Sequence, residues 1–493
     1  MKTEFRLKRK IAFFNIFKWF LASVFIGAVV GVCNGLFLKL LALSVNFTAG
    51  FQYYYFVLPL ALYIVNILAR KVSPEDDGFS TNEAIAAINE YKPVSVISSI
   101  KAFFLPVLTI AAGGSAGKES PCADVGAGVG SFFAKVFSFN KNERRKLMIC
   151  GVSAGFAGVF GVPISGALFG LEVLSVGTVF YEVMFPAFIA GITSYQITQM
   201  MGVEYIYHPM VLKAINIDSS LLFVVAAGLF FGLMSLLFIE ILKLTRIIFR
   251  FIGYKFSLFW KVFLAGAALI AIGLVFSPAY LGLTMQRVDA ILAGDRAAAF
   301  GFLAKMVTTG ITFAAGGVGG AITPVMFIGA NAGYFFADMM GLNTITFAAL
   351  GIVSILAGVC NTPLAASVMA IELFGASIAP YAAVSCIVSF LVTGRRSIYS
   401  KQPFTFDKNL SDDDEQSPHA PQRRQSVREL KKVLNKKNFV LAMVHHLIPD
   451  AKNARAVKKP LNTPVEDGLK KKFSIFSHLL PDIPSDDDKG DSP

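Results

Sequence analysis

The chain has 493 residues, of which 55% are hydrophobic and only 16% charged, and its mean hydropathy is +0.62. That is more apolar surface than a soluble core of this length buries, so the chain belongs in a bilayer and soluble classes are excluded. The net charge of +13 lies partly in the termini and loops, where Lys and Arg favour the cytoplasmic side, and no nucleic-acid partner is expected.

The opening MKTEFRLKRK (1–10) is basic, and the apolar run behind it continues past the length of a signal-peptide core without a small-residue cleavage site. It reads as a retained cytoplasmic amino terminus. Apolar runs follow near 11–32, 54–69, 102–112, 148–171, 176–201, 220–242, 259–280, 299–315 and 344–393. Each is long enough, or nearly so, to cross a hydrocarbon core of roughly 30 Å. Several are short and broken by Gly or Pro, and at membrane depth such breaks survive only where they are packed in protein or line a wet cavity. Cys33, Cys122, Cys150, Cys360 and Cys386 lie in apolar segments without paired or metal-ligand spacing and read as packing residues, so no metal or other cofactor is expected. After about residue 402 the composition turns to Ser, Asp, Lys, Gln and Pro. The membrane domain is expected to cover 11–402. Residues 403–493 read as a polar, largely disordered cytoplasmic tail with one short amphipathic helix around 426–445 and an echo, HLIPD (446–450) and HLLPD (478–482).

The membrane domain is built twice. TIAAGGSAGKESPCADVGAGVGSFFA (109–134) recurs as TFAAGGVGGAITPVMFIGANAGYFFA (312–337), with 13 of 26 positions identical. GVSAGFAGVFGVPISGALFGLEVL (151–174) aligns without gaps to GIVSILAGVCNTPLAASVMAIELF (351–374), pairing Pro163 with Pro363 and Glu172 with Glu372. The order is kept, which gives two halves of about 11–200 and 201–402. A long repeat in an apolar chain points to a transporter whose site lies where the halves meet. Five apolar stretches separate the two copies of the first motif. The odd number predicts an inverted repeat.

GGSAGKESP (113–121) and GGVGGAITP (316–324) carry the chemistry. Gly permits sharp turns and Pro suits a helix's first turn, so both read as helix starts within the membrane. Free N–H groups and the positive end of the helix dipole make such a start an anion site. Close helix packing by the glycines is the plainer alternative. A phosphate-binding P-loop is excluded, because Ala112 stands at its first Gly and Glu119 follows Lys118 directly. Glu119 is a carboxylate in a membrane segment, costing roughly 2.5–3.5 kcal/mol on insertion scales, so it marks a cavity or pathway. At a helix start it occupies the place prepared for an anion, and protonation would release it. Stabilising its own helix dipole is the alternative role.

These residues resemble the CLC family of chloride channels and proton-coupled chloride exchangers over essentially all of 11–402. GKESP (117–121) is similar to the family's G-K/R-E-G-P, which places Glu119 on the gating glutamate beside Gly117 and Lys118. GAITP (320–324) is similar to G-x-F-x-P, which makes Gly320, Ala321 and Ile322 the backbone donors to a central anion, and Tyr399 in RRSIYS (395–400) resembles the tyrosine that meets the same ion. GFSTNE (78–83) stands where the family has G-S-G-I-P, with Phe79 on the coordinating serine and Ser80 beside it; an ordinary capping segment is the alternative. Glu172 and Val173 fall on the family's inner acidic pair. Val173 in place of the proton-handling acid leans the reading towards passive conduction, and the repeat-mate Glu372 favours a structural role for Glu172. The buried-segment lysines Lys101 and Lys305 either attract anions or snorkel.

The resemblance thus implies an all-α, multi-span CLC-type inverted repeat with broken half-length helices meeting near the midplane. It implies a homodimer in which each subunit passes chloride or a similar anion through its own pathway. A passive chloride channel is the expected activity, with a proton-coupled antiporter as the alternative. The setting is an integral plasma (inner) membrane protein with both termini cytoplasmic. No paired-carboxylate, Ser/His or metal-ligand constellation in the spans supports an enzyme.

Overall fold

The computed structural model describes residues 2–72, 81–205, 207–210 and 217–404; the chain divides into units of 1–414 and 415–493, and the helix and echo expected in the tail lie outside the described residues. The described residues form sixteen α-helices in two sets of eight. The first set is α1 (Lys2–Ala49), α2 (Leu58–Val72), α3 (Thr81–Asn89), α4 (Val96–Ala111), α5 (Glu119–Val136), α6 (Lys141–Phe160), α7 (Pro163–Glu172) and α8 (Tyr181–Met200). The second repeats it as α9 (Ile217–Lys255), α10 (Leu258–Val275), α11 (Met285–Leu292), α12 (Gly301–Ala314), α13 (Ile322–Met340), α14 (Thr344–Cys360), α15 (Pro363–Phe374) and α16 (Ala379–Thr393).

The doubled sequence is also a doubled local code. Asn140 caps α6 by accepting from the Glu143 N–H, while the Glu143 carboxylate accepts from the Asn140 N–H. Asn343, its repeat-mate, caps α14 through the Thr346 N–H. Both satisfy donors that a helix start leaves open. At the far ends, Gly161 and Asn361 turn left-handed, with φ of 74° and 59°, and Pro163 and Pro363 open the next helices. The run 148–171, read as one apolar stretch, is therefore two helices, and 344–393 is three.

Four described helices are long and apolar enough to cross a membrane, within Phe13–Ala49, Leu221–Lys255, Leu258–Val275 and Ala376–Thr393. Their outer faces carry Leu222, Leu233, Phe259 and Phe263 fully or partly uncovered, as a lipid-facing surface requires. The shorter helices pack inside. There α5 meets α6, and α13 meets α14, at paired glycines. A Cβ on Gly126 would overlap the Gly151 carbonyl and the reverse also holds; Gly329 and Gly351 stand in the same relation. Backbones approach this closely only without side chains. Replacing Gly151 or Gly351 by Val should each cost about 1–3 kcal/mol of stability, seen as a lowered melting temperature in detergent, whereas Leu229→Ala on the exposed face of α9 should leave it unchanged.

Candidate functional site

The two Gly/Pro motifs meet head to head. The Gly117 N–H donates to the Gly320 carbonyl at 2.6 Å, and the Gly320 N–H donates back to the Gly117 carbonyl at 2.9 Å, a two-bond antiparallel bridge between the halves. Threonines repeat the exchange one layer out. Thr312 Oγ1 accepts from the Ser115 N–H at 3.0 Å, Thr109 Oγ1 accepts from the Val318 N–H at 3.3 Å, and the Ser115 and Thr309 hydroxyls bond at 2.8 Å. The loops are held by each other, which is how irregular backbone persists in a protein interior.

Across this bridge the starts of α5 and α13 face one another, and Glu119 fills the gap. Its Oε1 accepts from the Ile322 N–H at 2.6 Å and its Oε2 from the Thr323 hydroxyl at 2.8 Å. Glu119 is 1% exposed. Its oxygens thus lie at two positive helix ends, where a negative group is favoured. The geometry corrects part of the expected donor set. The amides of Gly117 and Gly320 bond one another and are not open to an anion; these glycines act by lacking a Cβ, which would collide with the Glu119 carboxylate. Ala321 and Ile322 are buried at the start of α13, and the Ile322 N–H is the donor in use. Lys118 stands half-buried at the residue before α5 without capping it through its side chain, and its ammonium lies 6.0 Å from the Phe160 ring.

Tyr399 lies in a strap, residues 396–404, that follows α16 and folds back beneath the site. It is 2% exposed. The strap touches the start of α3, where the Lys401 N–H donates to Asn82 Oδ1 at 3.4 Å. Asn82 Nδ2 and Thr81 Oγ1 are buried there with no hydrogen-bond partner among the described residues. Phe79 and Ser80 lie outside the described residues. At its end the strap pairs Pro403 and Phe404 with Val176.

Glu172 is committed elsewhere. Its Oε1 and Oε2 accept from the Leu364 and Ala365 N–H groups at 3.1 and 2.8 Å, capping α15. Glu372 caps α7 in return, through Ile164 and Ser165 at 2.9 and 2.8 Å. The repeat-mates thus close each other's half-helices. Val173 ends α7, and its carbonyl accepts from Gln402. Lys101 and Lys305 are both buried rather than snorkelled: Lys101 stands 3.9 Å from Glu83, and Lys305 donates to the Gly282 carbonyl at 2.8 Å.

The residues unforeseen from sequence are Thr323, Asn82 and Gln402. Thr323 adjoins Ile322 in GAITP, so the motif held its signal; Gln402 had none, because its partners lie in distant segments.

Residues 61–394 match the family described as voltage gated chloride channel. The chloride/fluoride channel protein of Pseudomonas syringae pv. tomato is 33% identical over 78% of this chain and 86% of its own length. The H(+)/Cl(-) exchange transporter ClcA of Klebsiella pneumoniae is 26% identical over 72% of this chain and 81% of its own. The crystal structure of a CLC-type fluoride/proton antiporter superposes with a TM-score of 0.74 at 26% identity, covering 80% of this chain and 99% of that one.

Truncating Glu172 or Glu372 to Ala strips two helix-start donors of their acceptor, and each should cost about 2 kcal/mol of stability. The pH dependence of flux through the surviving protein should match the parent's, and a shifted profile for Glu172→Ala alone would place that acid on a proton route.

Proposed function

The chain belongs to the voltage-gated chloride channel family and is an integral membrane anion transporter, and from that premise we propose that it is a proton-coupled halide antiporter with fluoride as its halide. The observation that carries the reading is the Glu119 carboxylate, seated on the Ile322 N–H and the Thr323 hydroxyl. A halide needs those same donors, so halide and carboxylate exclude one another. Protonating Glu119 removes the charge that holds it between the helix ends, frees the donors, and loads the proton that leaves when the side chain returns. Exchange follows from one site serving two occupants.

Passive conduction, which rested on Val173, gives way to the antiporter alternative. A fluoride/proton antiporter and an H(+)/Cl(-) exchanger stand among the relatives, and the carboxylate fills the anion's place as exchange requires. Fluoride is preferred because two relatives name it and because GFSTNE replaces G-S-G-I-P. On the inner side, the Tyr399 hydroxyl, Asn82 Nδ2 and Thr81 Oγ1 are the donors to a passing ion. The Lys401 N–H engages Asn82 Oδ1, which leaves the amide nitrogen as the open end. Lys118 adds positive potential beside Glu119. Glu172 serves as a cap, and Val173 carries no proton. The protein works as a homodimer in the plasma (inner) membrane with both termini cytoplasmic, and exposed Leu364, Ile387 and Leu391 offer apolar surface to a second copy.

Purified protein in liposomes tests this. Fluoride efflux should drive proton uptake, run faster than chloride or nitrate efflux, and quicken as pH falls. Glu119→Gln, which mimics the protonated acid, should keep anion flux, abolish proton movement and flatten the pH profile. Reversal potentials that follow the halide gradient alone, with no response to pH, would restore the channel.

A further inference from the structure

The strap that carries Tyr399 is organised around one side chain. Gln402 is 5% exposed and uses all of its hydrogen-bonding capacity. Its Nε2 donates to the Val173 carbonyl at the end of α7 at 2.9 Å and to the Cys360 carbonyl at the end of α14 at 3.1 Å. Its Oε1 accepts from Asn361 Nδ2 at 3.0 Å and from the Ser397 hydroxyl at 2.9 Å. Two donated and two accepted bonds allow only one orientation of the amide.

Tyr399 hangs from this hub at both ends of its own backbone. Its N–H donates to Ser397 Oγ at 3.0 Å, the same hydroxyl that donates to Gln402, and its carbonyl accepts from the Gln402 N–H at 3.2 Å. The Ile398 N–H pins the turn to the Val359 carbonyl at 3.1 Å. The carbonyls at the ends of α7 and α14 are orphans of their helices, and Gln402 satisfies one from each. One amide therefore ties together the ends of a half-helix from each repeat and sets where the tyrosine hydroxyl stands.

We propose that Gln402 is a positioning residue for halide binding, acting through Tyr399 by fixing the 397–402 turn against α7 and α14. This rests on the reading of Tyr399 as an inner anion donor. Gln402 touches no ion itself. Its replacement by an apolar isostere leaves the Val173 and Cys360 carbonyls unpaired, loosens the Ser397 hydroxyl, and lets the tyrosine hydroxyl drift from the ion's path.

The experiment is a double-mutant cycle on equilibrium binding, with sodium fluoride titrated calorimetrically into detergent-purified protein of native assembly by size exclusion. Tyr399→Phe should weaken fluoride binding about tenfold, the effect of losing one hydrogen bond to a charged group. Gln402→Met should weaken it to a similar degree. The double variant should lie within about twofold of either single, since both remove the same contact. Losses that multiply to about a hundredfold, or an unchanged affinity in Gln402→Met, would overturn the proposal while leaving Tyr399 as a donor. An unchanged affinity in Tyr399→Phe would instead remove Tyr399 from the site, and this proposal with it. Should Gln402→Met fail to assemble, Ser397→Ala cuts only the link between Gln402 Oε1 and the Tyr399 N–H. It should show the same non-additivity with Tyr399→Phe, and additive losses there overturn the proposal equally.

Discussion

Two helix starts aimed at one point need a negative charge between them. The positive ends of α5 and α13 converge near the Gly117–Gly320 bridge, and without an anion there each would face the other's unsatisfied N–H groups in a low-dielectric interior. Glu119 supplies the charge from within the chain. The rest of the architecture serves that arrangement. The bridge sets how near the helix starts come, the threonine layer around Ser115 and Val318 holds the loops, and the glycine contacts of α5 with α6 and α13 with α14 let the frame close behind them. The proposed exchange asks that a carboxylate in this seat be costly enough to be displaced and favourable enough to return.

Much of this was legible in the amino-acid order because the repeat turns single observations into pairs. GGSAGKESP (113–121) and GGVGGAITP (316–324) would be weak signals alone; seen twice at one spacing they mark the two helix starts at which α5 and α13 begin. Glu119 was legible because a carboxylate among apolar residues is expensive. The donor assignment was less so. A motif says which residues stand at a helix start but not which N–H groups are already bonded, and the Gly117 and Gly320 amides were spent on the inter-repeat bridge. The apolar runs 148–171 and 344–393 hid their breaks for a related reason: Gly161 and Asn361 each reverse the chain by the dihedral angle of a single residue, an interruption too short to divide the apolar run. Gln402 was illegible altogether. A glutamine at the edge of a polar tail carries no periodicity, and its hydrogen bonds reach back 229 residues to Val173 and 42 to Cys360.

Comparing the halves separates scaffold from function. Residues kept in both do the same work twice: Glu172 and Glu372 cap each other's half-helices, and Thr109 and Thr312 hold each other's loops. Symmetric residues of this kind close the frame and confer no direction on it. The proposed coupling to a proton needs an inequality, and the copies differ at the site. Position 119 is an acid and its mate, Ile322, offers only a backbone N–H, so one helix start brings the charge and the other receives it. Lys118 faces Ala321 in the same comparison, which adds positive potential on one side alone. The strap with Tyr399 and Gln402 follows the last helix of the second half alone. A perfect duplication would have built two equal helix starts, both with an acid or both without. The few substitutions that broke the symmetry gave one of them a carboxylate, the charge that the proposed exchange would move.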